Sequence, residues 1–126
     1  MLAKYKAINP IPVHDIENAV DFYENILGLK PIEQTGTSAV FANDDGAYIG
    51  LHESAVAGTG QGTCAWWVVD DVESVVKELK LRGITFEVNY DLPHAKRSGD
   101  IYLLGKTKKA AWFKDLDGNI LGVGNF

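Results

Sequence analysis

The feature that most constrains this chain is internal repetition: Val13-His-Asp-Ile-Glu-Asn-Ala-Val20 returns 56 residues later as Val69-Asp-Asp-Val-Glu-Ser-Val-Val76. A second echo, Tyr48-Ile-Gly-Leu51 against Ile120-Leu-Gly-Val123, returns after 72 residues. Both are apolar strand patterns broken by one glycine. Repeats that pair an early and a late element point to one supersecondary unit used twice. The two offsets differ by 72 − 56 = 16, so the second copy carries an insertion of about that length, placed around residues 90–109.

At 126 residues the chain is long enough for one real core and too short for two independent domains. The expected organisation is a single domain of two halves: module 1 at about 1–57, a linker at about 58–62 and module 2 at about 63–126. The linker Gly58-Thr-Gly-Gln-Gly62 is glycine-rich and poor in apolar residues. No apolar run approaches a membrane span and the N-terminus lacks a secretory apolar stretch, so no membrane partner and a cytoplasmic location are expected. The lone Cys64 permits no internal disulfide. A net charge of −5 argues against a nucleic-acid partner.

Pro10 and Pro12 suit a first strand with an unpaired edge. Asp15 then caps a helix whose stripe is Ile16, Ala19, Val20, Tyr23, Ile26 and Leu27, ended by Gly28. The second copy repeats the design with Asp70 or Asp71 as cap, Val72, Val75, Val76 and Leu79 as stripe, and Gly83 as stop. Strands are expected at about 30–34, 38–43 and 47–53, and again at 84–89, 109–114 and 119–125. Asn43-Asp-Asp-Gly46 and Asp115-Leu-Asp-Gly-Asn119 read as hairpin turns. Each half is therefore β-α-β-β-β. The segment 90–109 mixes charge with Ile101, Tyr102, Leu103 and Leu104, and reads as a lid, a partner contact or an extra strand.

Three segments carry a resemblance to a known family: Val13-x-Asp-Ile-Glu-x-Ala-Val-x-Phe-Tyr-x-x-Ile-Leu-Gly-Leu29, Val69-x-Asp-Val-Glu with Leu79-x-x-Arg-Gly83, and Phe113-Lys-Asp-Leu-Asp-Gly-Asn-Ile-Leu121. Together they resemble the vicinal-oxygen-chelate superfamily of glyoxalase I, extradiol dioxygenases, fosfomycin-resistance thiol transferases and bleomycin-resistance proteins. Leu116 departs from the proline usual in the family's Asp-Pro-Asp-Gly-Asn hairpin. The resemblance implies an α+β fold in which two β-α-β-β-β modules form a curled mixed sheet around a cleft, with helices on the outer face. It leaves the reaction open, because function belongs to the site.

Enzymes of this family hold a divalent metal with His, Gln or Glu on the first and last strand of each module. Carried over residue by residue, those places fall on Ile8, Gly50, Cys64 and Gly122. Only Cys64 can ligate, whereas such a site wants about three His or carboxylate ligands. No cofactor is therefore expected; the alternative is one divalent transition metal, reached if a register slip brings His52 into play. As a general base His52 has a suitable ordinary pKa, but the favoured reading is a half-exposed histidine at a strand end. His14 adjoins the helix cap, Glu53 falls on the opposite strand parity as a surface carboxylate, and His94 lies in the insertion.

No catalytic dyad emerges. Strand parity instead places Trp66 with Cys64 on an inward face, and Tyr48, Gly50 and His52 on another, while Trp67 and Phe113 read as core. Trp112 lies on a strand whose register the sequence does not set. The candidate ligand-binding set is thus Tyr48, Gly50, His52, Cys64, Trp66, Trp112 and Gly122, with glycines clearing room for a flat ligand. The missing metal ligands imply the bleomycin-resistance-like branch: a homodimer that binds a small apolar or aromatic molecule, such as an antibiotic or toxin, without transforming it. Two readings stay open beside it, a metal-dependent lyase, isomerase or dioxygenase of the same superfamily and a structural module that binds no small molecule.

Overall fold

The computed structural model describes residues 1–126, which divide into two units, 1–60 and 61–126. In the first unit a short 3₁₀ turn at Leu2–Lys4 precedes β1 (Ile8–Val13), α1 (Ile16–Asp21), β2 (Lys30–Gln34), β3 (Ser38–Ala42) and β4 (Tyr48–Glu53). The sheet runs β1-β4-β3-β2, with β1 parallel to β4 and the other neighbours antiparallel. As an edge strand, β1 tolerates Pro10 and Pro12: they share one parity, so their missing N–H groups fall on the side away from β4.

Alternation sorts this sheet cleanly. Ile11, Val13, Ala39, Phe41, Ile49 and Leu51 are 0–4% exposed and form the core face. Ile16, Ala19 and Val20 of α1 are buried with them, and Tyr23 lies 6.1 Å from the Phe41 ring. Burying each large side chain stabilises the fold by roughly 1.5–3 kcal/mol. After Asp21 the helix widens over Phe22–Ile26, where Leu27 N–H donates to the Phe22 carbonyl five residues back. Gly28, at φ 77°, then turns the chain out of the helix.

The N-terminus of α1 has two caps. Asp15 Oδ1 accepts from Asn18 N–H at 3.0 Å, as its position predicts. Glu53 Oε2, at the end of β4, accepts from Ile16 N–H at 3.0 Å. Glu53 is therefore no idle surface carboxylate: it bolts the helix to the last strand across 37 residues of sequence.

The second unit contains β5 (Thr63–Val68), α2 (Val72–Leu81), β6 (Ala95–Ser98), β7 (Ile101–Leu104), β8 (Lys108–Lys114) and β9 (Ile120–Gly124). Its sheet runs β5-β9-β8-β7-β6, again with the first and last strands parallel. Asp71, of the two candidates, is the cap of α2, accepting from Ser74 N–H at 3.0 Å. The turn before β9 is held by Asp115, whose Oδ1 accepts from the Asp117 and Asn119 N–H groups and whose Oδ2 accepts from Asn119 Nδ2, all at 2.9 Å. Asp115 and Asn119 are 7% and 2% exposed, so this turn is built inward, with its polar atoms paired as burial demands.

The second unit departs from the expected pattern in one place. Residues 84–89 do not form a strand: they make a single antiparallel bridge, Phe86 to Phe113, with Glu87 N–H donating to the Trp112 carbonyl at 2.8 Å. The insertion supplies the missing pairing, because β6 and β7 form a hairpin whose second strand zips onto β8 from Lys108 to Ala110. The outer edge of β8 is thus shared between the bridge and the inserted hairpin. Of the three roles open to residues 90–109, an extra strand is realised, and it is doubled. No helix is long and apolar enough to cross a membrane.

Glu53→Ala should lower unfolding free energy by about 1 kcal/mol, the usual worth of a helix cap, read as a reduced urea midpoint. An unchanged midpoint would mean that water serves Ile16 N–H as well as the carboxylate does.

Candidate functional site

The helix side of each sheet is core, and the chemistry available to a ligand lies on the other side. In the first unit that side carries Ile8, Pro10, Val40, Tyr48, Gly50 and His52, set by the register Ile8 to Tyr48, Pro10 to Gly50 and Val40 to Gly50. His52 is exposed and stands in register with Pro12 and Ser38. The Tyr48 ring has Lys6 Nζ 3.9 Å from its centroid, an arrangement that holds a cation on the ring face.

In the second unit the same side is aromatic. Trp66 is in register with Gly122, and Trp112 with Gly122 from the opposite flank. The Trp66 indole lies flat on β9: a Cβ at Gly122 would stand 2.6 Å from its ring, and one at Gly124 only 2.3 Å. Both glycines are therefore required by the indole, which occupies the room that the sequence suggested was clear. The two indoles are 5.6 Å apart at 55°. Phe126 flanks Trp66 at 5.6 Å, and Tyr102 and Tyr90 meet Trp112 edge-on at 5.4 and 5.7 Å.

Hydrogen bonds fix these rings. Trp66 Nε1 donates to the Phe126 carbonyl at 2.9 Å, and Trp112 Nε1 donates to Thr63 Oγ1 at 3.2 Å. Tyr102 Oη accepts from Tyr90 N–H at 3.0 Å, anchoring the coil before β6. The Tyr90 hydroxyl is buried and has no partner. Burial, reinforced by the Glu87 carboxylate and Tyr102, raises its pKa above the ordinary tyrosine value.

Cys64 is displaced from its expected place. A bulge between Thr63 and Ala65 breaks the alternation of β5, so that Thr63 rather than Cys64 reaches the face of Trp66 and Trp112. Cys64 Sγ lies 4.0 Å from Asn119 Oδ1. The sequence reading missed Thr63, Tyr90, Tyr102 and Phe126. Only Tyr102 had a local signal, sitting at alternate parity within the Ile101–Leu104 run.

The four positions that correspond to metal ligands in the resembled family do not fit a metal. Ile8 and the two glycines have no donor atoms, and the thiol of Cys64 is the one ligating group among the four. A side chain at Gly50 would meet Ile8 Cγ2 at 2.9 Å, and one at Gly122 would meet the indole. No group of three or more His, Cys, Asp or Glu side chains is placed to hold an ion. What this geometry offers is an aromatic surface whose two indole N–H groups are already paired.

The profile of the Glyoxalase/Bleomycin resistance protein/Dioxygenase superfamily matches residues 4–123. No curated protein sequence matches the chain. Among solved structures, TnmS3, an antibiotic binding protein from Streptomyces sp. CB03234, superposes with a TM-score of 0.71 at 22% identity, covering 98% of this chain and 96% of that one. A bleomycin resistance determinant encoded on the transposon Tn5 gives 0.70 at 19% identity over 96% and 97%. A fosfomycin resistance protein from Listeria monocytogenes, complexed with Mn(II), gives 0.69 at 16% identity over 99% and 91%. At these identities the likeness shows the fold, and it spans metal-bound and antibiotic-binding examples alike.

Two measurements check this geometry. Gly124→Ala should cost about 1–3 kcal/mol of stability by overpacking and shift tryptophan emission, and much of that loss should vanish in a Trp66→Ala background. Additive losses in the double variant would show that indole and glycine are uncoupled. Second, the raised Tyr90 pKa keeps a proton on the folded chain that the unfolded chain releases from about pH 10. Stability should therefore be intact below that pH and fall as pH rises through the folded pKa. The fall should be shallower in Tyr90→Phe than in the wild type, measured by urea unfolding across the alkaline range.

Proposed function

This chain belongs to the Glyoxalase/Bleomycin resistance protein/Dioxygenase superfamily, and from that premise we propose that it binds a small aromatic molecule without a metal and without transforming it. The observation that carries this reading is the indole pair Trp66 and Trp112 packed against Gly122 of β9, a position that the family resemblance assigns to a metal ligand. A planar ligand gains dispersion and apolar burial by stacking on rings whose N–H groups are already paired, so it need not compete for them. The names of two structural neighbours, an antibiotic binding protein and a bleomycin resistance determinant, favour an antibiotic or related toxin as the ligand class.

The reading places Trp66, Trp112 and Gly122 in the ligand face of the second module, with Tyr48, Gly50 and His52 forming the corresponding face of the first. Cys64 contributes no ligand contact and serves β5 packing beside Asn119. The protein acts as a homodimer in the cytoplasm, and exposed apolar residues such as Ile8, at 43%, support association with a second copy.

Fluorescence titration with bleomycin and a panel of planar aromatic antibiotics, in metal-free buffer, tests the proposal. One class should quench Trp66, and Trp66→Ala should weaken it by roughly 1–3 kcal/mol. His52→Ala should leave metal uptake unchanged. Stoichiometric loading of Mn, Fe, Ni or Zn, lost in His52→Ala, would instead establish the metalloenzyme reading and overturn this one.

A further inference from the structure

A second binding region lies on the helix side of the second module, away from the indoles. The inserted hairpin widens that sheet to five strands, yet the module has one ten-residue helix, α2, to cover it. α2 packs on β8 through Val72 and Val76, its buried residues. β7, one strand further out, presents Ile101 and Leu103 to the same side and is left at the margin of the helix. The result is a groove between α2 and the hairpin, formed by two adjoining hollows of about 370 Å³ each that share Glu73 and Ile101.

The floor of the groove is apolar: Val76 from the helix, Ile101 and Leu103 from β7. Leu81, 80% exposed, stands at the outer rim of the first hollow. Two ion pairs cross the groove and pin helix to sheet, Lys80 to Asp100 at 2.6 Å and Lys109 to Glu73. Hydrogen bonding from Lys109 holds the Glu73 carboxyl below its ordinary pKa, so the pair stays charged and self-neutralising. Those two pairs consume both carboxylates of the lining. Lys77 and Lys106 remain without an anionic partner, two positive charges on a chain whose net charge is −5, while Lys108 turns its ammonium to the Phe126 ring, 5.1 Å from the centroid.

We infer that this groove binds an aliphatic carboxylate, with the acyl chain on Ile101, Leu103 and Leu81 and the head group at the lysine rim. Charge complementarity selects an anion, and the apolar floor selects a hydrocarbon body over an inorganic ion. The Glu73 carboxylate within the lining favours a singly charged head over a dianion. The two hollows adjoin through Glu73 and Ile101, which suits an elongated body.

Isothermal titration of the full chain with octanoate at low ionic strength is the test, with octanol as the uncharged counterpart. Saturable binding of octanoate at one site per chain is expected, with octanol weaker. Lys77→Gln/Lys106→Gln should weaken octanoate about fivefold, the scale of two exposed ion pairs, and Leu103→Asp should abolish it. Trp66→Ala should leave it unchanged, which separates this groove from the aromatic face. Absence of saturable binding overturns the inference, as does binding that Trp66→Ala removes while the lysine variant keeps it.

Discussion

Parallel pairing of the first and last strand in each module is the constraint on which the rest depends. β1 runs beside β4 and β5 beside β9, and parallel neighbours cannot be joined by a tight turn. The chain must cross over, and it does so through α1 or α2 on one side of the sheet. That side becomes the core, filled by Phe41, Leu51, Phe113 and Leu121 at 0–1% exposure. The other side is left without a helix of its own, and strand parity, interrupted by the bulge between Thr63 and Ala65, decides which strand residues face it. Glu53 and Asp115 secure the arrangement at its two weakest points, the start of α1 and the entry to β9.

The two modules answer the same topology with different chemistry. In the first, the bare face holds Tyr48, Gly50 and an exposed His52. In the second, glycine at 122 and again at 124 lets the Trp66 indole lie against the backbone, with Trp112 and Phe126 flanking it and Tyr90 and Tyr102 set against Trp112. A site built for a metal needs donors that project from the sheet. Here the central strand projects nothing, and an aromatic plane covers it.

The inserted hairpin shows how a local addition creates a new surface. Strands β6 and β7 extend the sheet, while α2 keeps the length its repeat dictates. Ile101 and Leu103 are left at the helix margin, among lysines whose only carboxylate partners are Glu73 and Asp100. Lys96 and Arg97 on β6 serve a separate purpose, since charge on an edge strand discourages pairing with other chains.

Much of the fold was legible in the sequence because it is written in short-range signals: the two Asp-capped helices, the paired prolines, the Asn and Gly turns and the glycine-broken strands. The repeat made each half a check on the other, and strand parity put Tyr48, Gly50 and His52 on one side of their sheet, as the register has them. Three things were not legible. The bulge at Cys64 shifts alternation by one residue, and no local residue type announces it. The 84–89 segment has strand composition, yet the hairpin takes the Lys108–Ala110 end of the β8 edge and leaves it a single bridge at Phe113. The glycines of β9 read as empty space, because only tertiary packing reveals that Trp66 fills it. The sequence by itself determined the modules, their helices and the family, through patterns spanning a few residues. Tertiary structure decided which rings assemble on β9, which carboxylate caps α1 and where the groove beside α2 opens, because those depend on contacts between residues up to 60 positions apart.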